Sequence, residues 1–399
     1  MDEKFLFEKY ESLKARNLKI DATRGKPNAE QVALCDEMVN MPFENFFAED
    51  GTDVRNYGGA DGIPEMKRIF AELLGVDTGE IMVGGNSSLN LMFDFIATMV
   101  LDRKWNNSTI MSKFICPAPG YDRHFAVCEY FGIQMLPVPM TLTGPDMSTV
   151  ETLALDPEVA GIWCVPVFSN PQGYVYSDET IRRLAQMPTA HPHFRIMWDD
   201  AYTVHNFSGS RPSPLNILQE CRKNGNESRP VIFSSFSKIS IAGAGVTCVA
   251  AAGETQALIR KRISAQTIGP DKINQLRHAR YFKNADGVGS HMKKHAAILR
   301  PKFERVIAAF EKNLPATASF ARPTGGYFVS VETPPGCAKR VRQLCQDAGV
   351  LITEAGATFP YGKDPEDTNL RFAPTFLSME ELDQALEVFC LAMKIAATE

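Results

Sequence analysis

From residue 64 onward two hydrophobic rhythms alternate along the chain. Stretches with the i, i+3, i+4 spacing of amphipathic helices give way to short apolar runs of strand length. The pattern predicts helix 64–74 and strand 80–83, helix 88–100 and strand 112–116, then helix 121–131 and strand 133–138. A further helix leads to strand 160–165, helix 178–187 leads to strand 194–198, and strands 230–234 and 246–251 complete a set of seven. Short apolar strands between helices imply a largely parallel sheet covered on both faces. The last two strands lie too close for a crossover helix, so one strand is expected to run antiparallel. Residues 3–17 fit a helix with Phe5, Leu6, Tyr10 and Leu13 on one face. Past about residue 253 the pattern changes to long helices rich in Lys and Arg, running to about 312. A strand at 325–330, a helix near 337–348, a strand near 369–372 and a helix from 379 follow. The expected fold is α/β, with a mostly parallel seven-stranded sheet in a large domain and a smaller α+β domain. The expected division is 1–50 for an N-terminal arm and part of the small domain, 51–294 for the large domain and 295–399 for the C-terminal small domain.

Composition narrows the function classes. A net charge of −5 over 399 residues gives no electrostatic reason to expect nucleic acid as a partner. No apolar run reaches membrane-spanning length, and the charged N-terminus is not a secretory signal. Nine cysteines, an odd number without a C-x-x-C pair, read as reduced core residues of a cytoplasmic protein.

The candidate chemistry centres on Lys238, which has no charged neighbour from Val231 to Val249. A lysine among apolar and neutral groups loses hydration, and its amine becomes a nucleophile suited to Schiff-base formation. A lysine at a strand end is also commonly a snorkelling residue. Ligands of open α/β sheets sit at the carboxyl ends of strands, and polar residues cluster there. Strand 80–83 ends in Gly84-Gly-Asn86-Ser87-Ser88, which suits a phosphate or a plain helix cap. Strand 112–116 is followed by Tyr121 and His124, strand 160–165 by Asn170, strand 194–198 by Asp199, Asp200 and Tyr202, and strand 230–234 by Ser235. A carboxylate at a buried strand end is costly unless paired, and a protonated pyridine nitrogen is a suitable partner; helix capping is the other use of two aspartates.

Five motifs then occur in a fixed order: Asn170-Pro-x-Gly173, Asp199-x-Ala-Tyr202, Ser235-Phe-Ser-Lys238, Gly325-Gly-Tyr-Phe328 and Asn369-Leu-Arg371-Phe. On these the chain resembles, nearly end to end, the fold-type I pyridoxal phosphate (PLP) enzymes of the class I aminotransferase group. It is most similar to a divergent aspartate aminotransferase-like branch related to the effector domains of MocR regulators. The resemblance implies PLP as cofactor, with Lys238 as the Schiff-base lysine and proton shuttle. It implies Asp199 at the pyridine nitrogen, His124 in support of it, Asn170 and Tyr202 at the ring oxygen, and Tyr121 stacked on the ring. Asn86, Ser87, Ser88 and Ser235 would hold the phosphate. Tyr57 would reach the phosphate of a neighbouring subunit, which implies a homodimer. Arg371 would bind the substrate α-carboxylate beside Asn170, and Gly25 lies in the loop that closes over substrate. One position departs from the pattern: many relatives carry an arginine eight residues after the lysine, where this chain has Val246.

The implied reaction is ping-pong transfer of an amino group between an amino acid, aspartate or glutamate, and a 2-oxo acid. An acidic side chain needs a second cation, for which Arg24 is preferred over Lys26 and Arg123. The alternatives are an aromatic or aliphatic specificity, a PLP lyase or decarboxylase, and a non-catalytic PLP sensor. Against the sensor, there is no room for a separate DNA-binding module before Gly25. His291 and His295 have a metal-like spacing, but two lysines lie between them and no acidic third ligand is near, so no metal is expected.

Overall fold

In the computed structural model, which describes residues 3–105, 112–207 and 209–399, all seven predicted strands pair into one sheet. Their order is Ile81–Gly84, Thr247–Ala250, Pro230–Ser235, Arg195–Asp199, Val159–Cys164, Lys113–Ala118 and Gln134–Thr141. Thr247–Ala250 is the antiparallel strand, opposed to both of its neighbours. An eighth strand, Gly144–Pro145, folds back antiparallel on the edge. Two residues carry no periodicity, so sequence reasoning counted seven.

Successive residues of a strand point to opposite faces, and here both faces are buried. Ile81, Val83, Ile196, Trp198 and Ile232 belong to one apolar core. Met82, Met197, Val231 and Phe233, the alternate positions, belong to another. The predicted helices cover these faces close to their expected bounds, from Pro64–Leu74 to Asp178–Gln186. Pro64 opens the first of them at a position where its missing N–H is harmless, and Gly75, at φ +66°, closes it.

A third apolar core lies outside the sheet. It gathers Leu6, Tyr10 and Leu13 of helix Glu3–Lys14 with Leu386, Phe389 and Met393 of helix Met379–Ala396. Strand Ile20–Ala22 pairs in parallel with Val350–Ile352, so the N-terminal segment is stitched to the C-terminal one. Helix Ala285–Asn313 spans two cores: Val288 and Met292 pack with the sheet, and Leu299, Phe303, Val306 and Phe310 with the third core. The strand expected at 325–330 begins later, as Val329–Glu332, because Gly326 takes φ +85°. The first helix ends at Lys14 rather than 17, where Asn17 takes φ +51°. No helix among the described residues is long and apolar enough to cross a membrane. All nine cysteines are free, and eight are buried.

Candidate active site

The carboxyl ends of the strands surround a cavity of ≈ 200 Å³ lined by Ser87, Ser88, Tyr121, Asn170, Asp199, Tyr202, Ser235, Ser237 and Lys238 among others. Asp199 is buried and bonded to His124, whose Nε2 lies 3.0 Å from Oδ2. The His124 ring stacks on Trp163 at 4.0 Å, which fixes its plane. The other oxygen, Asp199 Oδ1, is buried without a hydrogen-bond partner. A carboxylate left half-bonded in a polar cavity invites a donor. Lys238 Nζ stands 5.0 Å from the centre of the Tyr202 ring. Burial, with Asp199 near, raises the Tyr202 phenol, and burial pushes Tyr121 up to about 12, so both hydroxyls are donors at neutral pH.

Ser87 precedes helix Ser88–Leu101 but makes no side-chain cap, so its hydroxyl is free for the cavity. Ser235 Oγ accepts from the Ser237 N–H at 3.0 Å and lies 2.6 Å from the Ser237 hydroxyl. Val246 is 1% exposed within the sheet core and brings no charge to this place. Among the described residues lining the cavity, Lys238 is the one cation.

A second space of ≈ 580 Å³ adjoins the first and shares Tyr121, Tyr202 and Lys238 with it. Its walls carry Arg24, Lys26, Arg123, Arg342 and Arg371. Arg371 is buried, with Nη1 donating to Asp122 Oδ1 at 2.9 Å and to Asn170 Oδ1 at 3.2 Å, and it lies 4.8 Å from the Phe328 ring. Gly25 is pressed against the same ring: a Cβ there would come within 2.6 Å of Phe328 Cζ. Arg342 is tied to Glu354 and Gln346, Lys26 lies 3.8 Å from the Phe376 ring, and Arg123 is 3.9 Å from Asp122. Arg24 is exposed on the loop that carries Gly25.

The structure thus brings together Ser87, Ser88, Tyr121, Asn170, Asp199, Tyr202, Ser235 and Lys238, with His124 behind Asp199. Asn86 stays at the rim, its side chain donating to Gly243 O at 3.2 Å. Tyr57 lines neither space and is 80% exposed. Sequence reasoning missed Ser237, although it lies inside the Ser-Phe-Ser-Lys run. It also missed Trp163, Asp122, Arg342 and Thr353, whose hydroxyl accepts from Arg371 Nε at 3.3 Å. Asp122 meets Arg371 across 249 positions, a pairing with no local signal.

The family profile described as aspartate amino-transferase matches residues 3–399. An aspartate aminotransferase of Corynebacterium glutamicum is 44% identical over 98% of this chain and 92% of its own length. The crystal structure of an aspartate transaminase from the same species superposes with a TM-score of 0.94 at 43% identity, covering 99% of this chain and 95% of that one. The α-aminoadipate aminotransferase LysN of Thermus thermophilus, solved with N-(5'-phosphopyridoxyl)-L-leucine, shares the fold at a TM-score of 0.77 and 21% identity, over 96% of this chain and 95% of its own. With a match along almost its whole length, this chain belongs to the aspartate aminotransferase family and is an aminotransferase.

Proposed function

We propose that the chain binds PLP on Lys238 and transfers an amino group between aspartate or glutamate and a 2-oxo acid. The observation that carries the reading is the unpartnered Asp199 Oδ1, aligned by His124 and sharing one cavity with Lys238. The cavity residues fit the cofactor's three polar ends. Asp199 Oδ1 would accept the proton of the pyridine nitrogen. Tyr202 and Asn170 would hydrogen-bond the ring oxygen, and Tyr121 would cover a ring face. Ser87, Ser88, Ser235 and Ser237, with the free N–H groups that open helix Ser88–Leu101, would hold the phosphate in place of a charge at Val246.

When bound, the cofactor supplies a carbonyl that condenses with amines and a ring that accepts the electron pair released at the substrate Cα. Lys238 Nζ removes the Cα proton and returns it one atom away, as general base and then general acid. Arg371 presents its guanidinium to the α-carboxylate, held in line by Asp122 and Asn170. Arg24 meets the side-chain carboxylate. It is preferred because the other cations of the cleft lie against Glu354, Phe376 or Asp122. The same reading includes a cytoplasmic homodimer in which Tyr57 reaches the neighbouring subunit's phosphate, and kinship with MocR effector domains on the shared motifs. It also keeps the division into a large domain, 51–294, flanked by segments of a small one.

The test is direct. After reconstitution with PLP and borohydride reduction, peptide mapping is expected to place the tag on Lys238. Aspartate and glutamate should bleach the visible band, and Lys238→Ala should cut turnover by about 10⁴-fold. A tag on another side chain, or a band that no amino acid moves, refutes the proposal.

A further inference from the structure

The main chain at Lys238 is held by a buried polar network that no step above uses. The Tyr327 hydroxyl donates to the Lys238 carbonyl at 3.4 Å, and His205 Nε2 lies 3.4 Å from the same oxygen. His291 Nε2 lies 2.9 Å from the next carbonyl, that of Ile239. Gln31 joins these contacts: its Nε2 donates to Tyr327 Oη at 3.0 Å and lies 2.9 Å from His295 Nδ1. His295 Nε2 in turn stands 3.1 Å from His291 Nε2. The metal-like histidine pair of the sequence is therefore held by protein groups, His295 by Gln31 and His291 by the Ile239 carbonyl. Gln31, His205, His291, His295 and Tyr327 are all buried.

The orientation of the Gln31 amide follows from its other end. Gln31 Oε1 accepts the Asn28 N–H at 3.2 Å, while Asn28 Oδ1 accepts the Gln31 N–H at 2.9 Å. This capping box opens helix Ala29–Ala33. The residues just before it, Thr23, Arg24, Gly25 and Lys26, line the larger cleft. One side chain thus links the loop that faces substrate to the carbonyl of the lysine. Burial holds His205 and His295 down to about 3, so the network presents neutral donors and places no second charge beside the Lys238 amine.

We infer that Gln31, acting through Tyr327, is a positioning residue that couples residues 23–28 to the Lys238 peptide and so sets where Nζ stands. The physical need is plain. Nζ hangs on a flexible four-carbon stem, so a small shift of the peptide moves it off the Cα proton, and a misplacement of about 1 Å can cost about 10²-fold in rate. Both contacts to the Lys238 oxygen are long, which leaves room for them to tighten when substrate fills the cleft that residues 23–26 line. The inference rests on the PLP reading above.

Tyr327→Phe removes one hydroxyl and keeps the ring that lies 6.1 Å from Tyr202. Gln31→Glu is the second variant: it preserves the acceptor for the Asn28 N–H and removes both donors. In each, kcat is expected to fall by about 10- to 100-fold, with KM for the amino acid within about threefold of wild type. The readout apart from activity is binding to the apoprotein. Affinity for pyridoxal phosphate, which bonds to Lys238, should weaken about tenfold, while affinity for pyridoxamine phosphate, which does not, stays within about twofold. Equal weakening of both forms would mean general loosening and overturn the inference, as would an unchanged kcat. A wild-type chain that binds neither form would instead bring down the PLP reading itself.

Discussion

Asp199 and Asp200 are neighbours on one strand end and face opposite sides of the same sheet. Asp199 continues the parity of Met197 and points to the face of Val231 and Phe233; Asp200 continues that of Trp198, beside Ile232. Each has a buried Oδ1 without a partner. Their surroundings differ. Asp199 shares its ≈ 200 Å³ cavity with a lysine, four serines of the lining and two phenols, and His124 holds its other oxygen. Asp200 opens on a larger space of ≈ 310 Å³, walled by Leu73, Pro212 and Pro214. The one cation among its described lining residues, Arg211, already donates to the Leu73 and Thr203 carbonyls. On the function proposed above, the reactive cavity is the smaller of these two. Convergence of a nucleophile, an oriented acid and hydroxyl donors marks a site more reliably than volume does.

Substitution of each aspartate by its amide separates the two sides most sharply. Asp199→Asn should lower kcat by about 10²- to 10³-fold, because the ring nitrogen loses its charged partner while the shape is kept. Asp200→Asn should leave kcat within about threefold. Equal losses in steady-state kinetics would erase the distinction.

A smaller effect is expected in the cleft. Arg24→Ala should raise KM for aspartate about tenfold relative to that for leucine, since only the former carries a second carboxylate. If both rise together, the acidic-substrate assignment fails.

The smallest effect concerns stability. Burial pushes the Asp200 carboxyl up to about 7, with Asp199 adding to the rise and Arg211 opposing it. The folded state therefore keeps a proton that the unfolded chain has lost. The stability tied to this group is complete below about pH 4 and is lost as pH rises to about 7. Asp200→Asn removes that slope. Relative to wild type it should gain on the order of 1–3 kcal/mol between about pH 4 and pH 8, measured by urea denaturation. A gain that does not change with pH would show that Asp200 is ionised throughout.

Much of this was readable in the chain. The seven strands and the helices between them follow from local periodicity, because a buried strand must be apolar along its length and a helix along one stripe. The strand-end rule and the motif order picked out Asn170, Asp199, Tyr202 and Lys238, since these lie within a few residues of strong apolar runs. The short helices Ala29–Ala33, Asp36–Asn40 and Ile217–Lys223 escaped, as did the paired strands Ile20–Ala22 and Val350–Ile352. Each is too brief to carry a period and exists through its packing.

What the amino-acid order determined by itself was parity: residues 199 and 200 had to part, one to each side of the sheet. Motif order singled out Asp199, but because both faces are equally apolar, what put the serines, the phenols and Lys238 on its side of the sheet was tertiary structure alone. It alone brought Asp122 to Arg371 and Gln31 to Tyr327, across 249 and 296 positions. It also took Val246 into the core, where the apolar neighbours of Cys248 and Ala250 favour burial over a place at the phosphate.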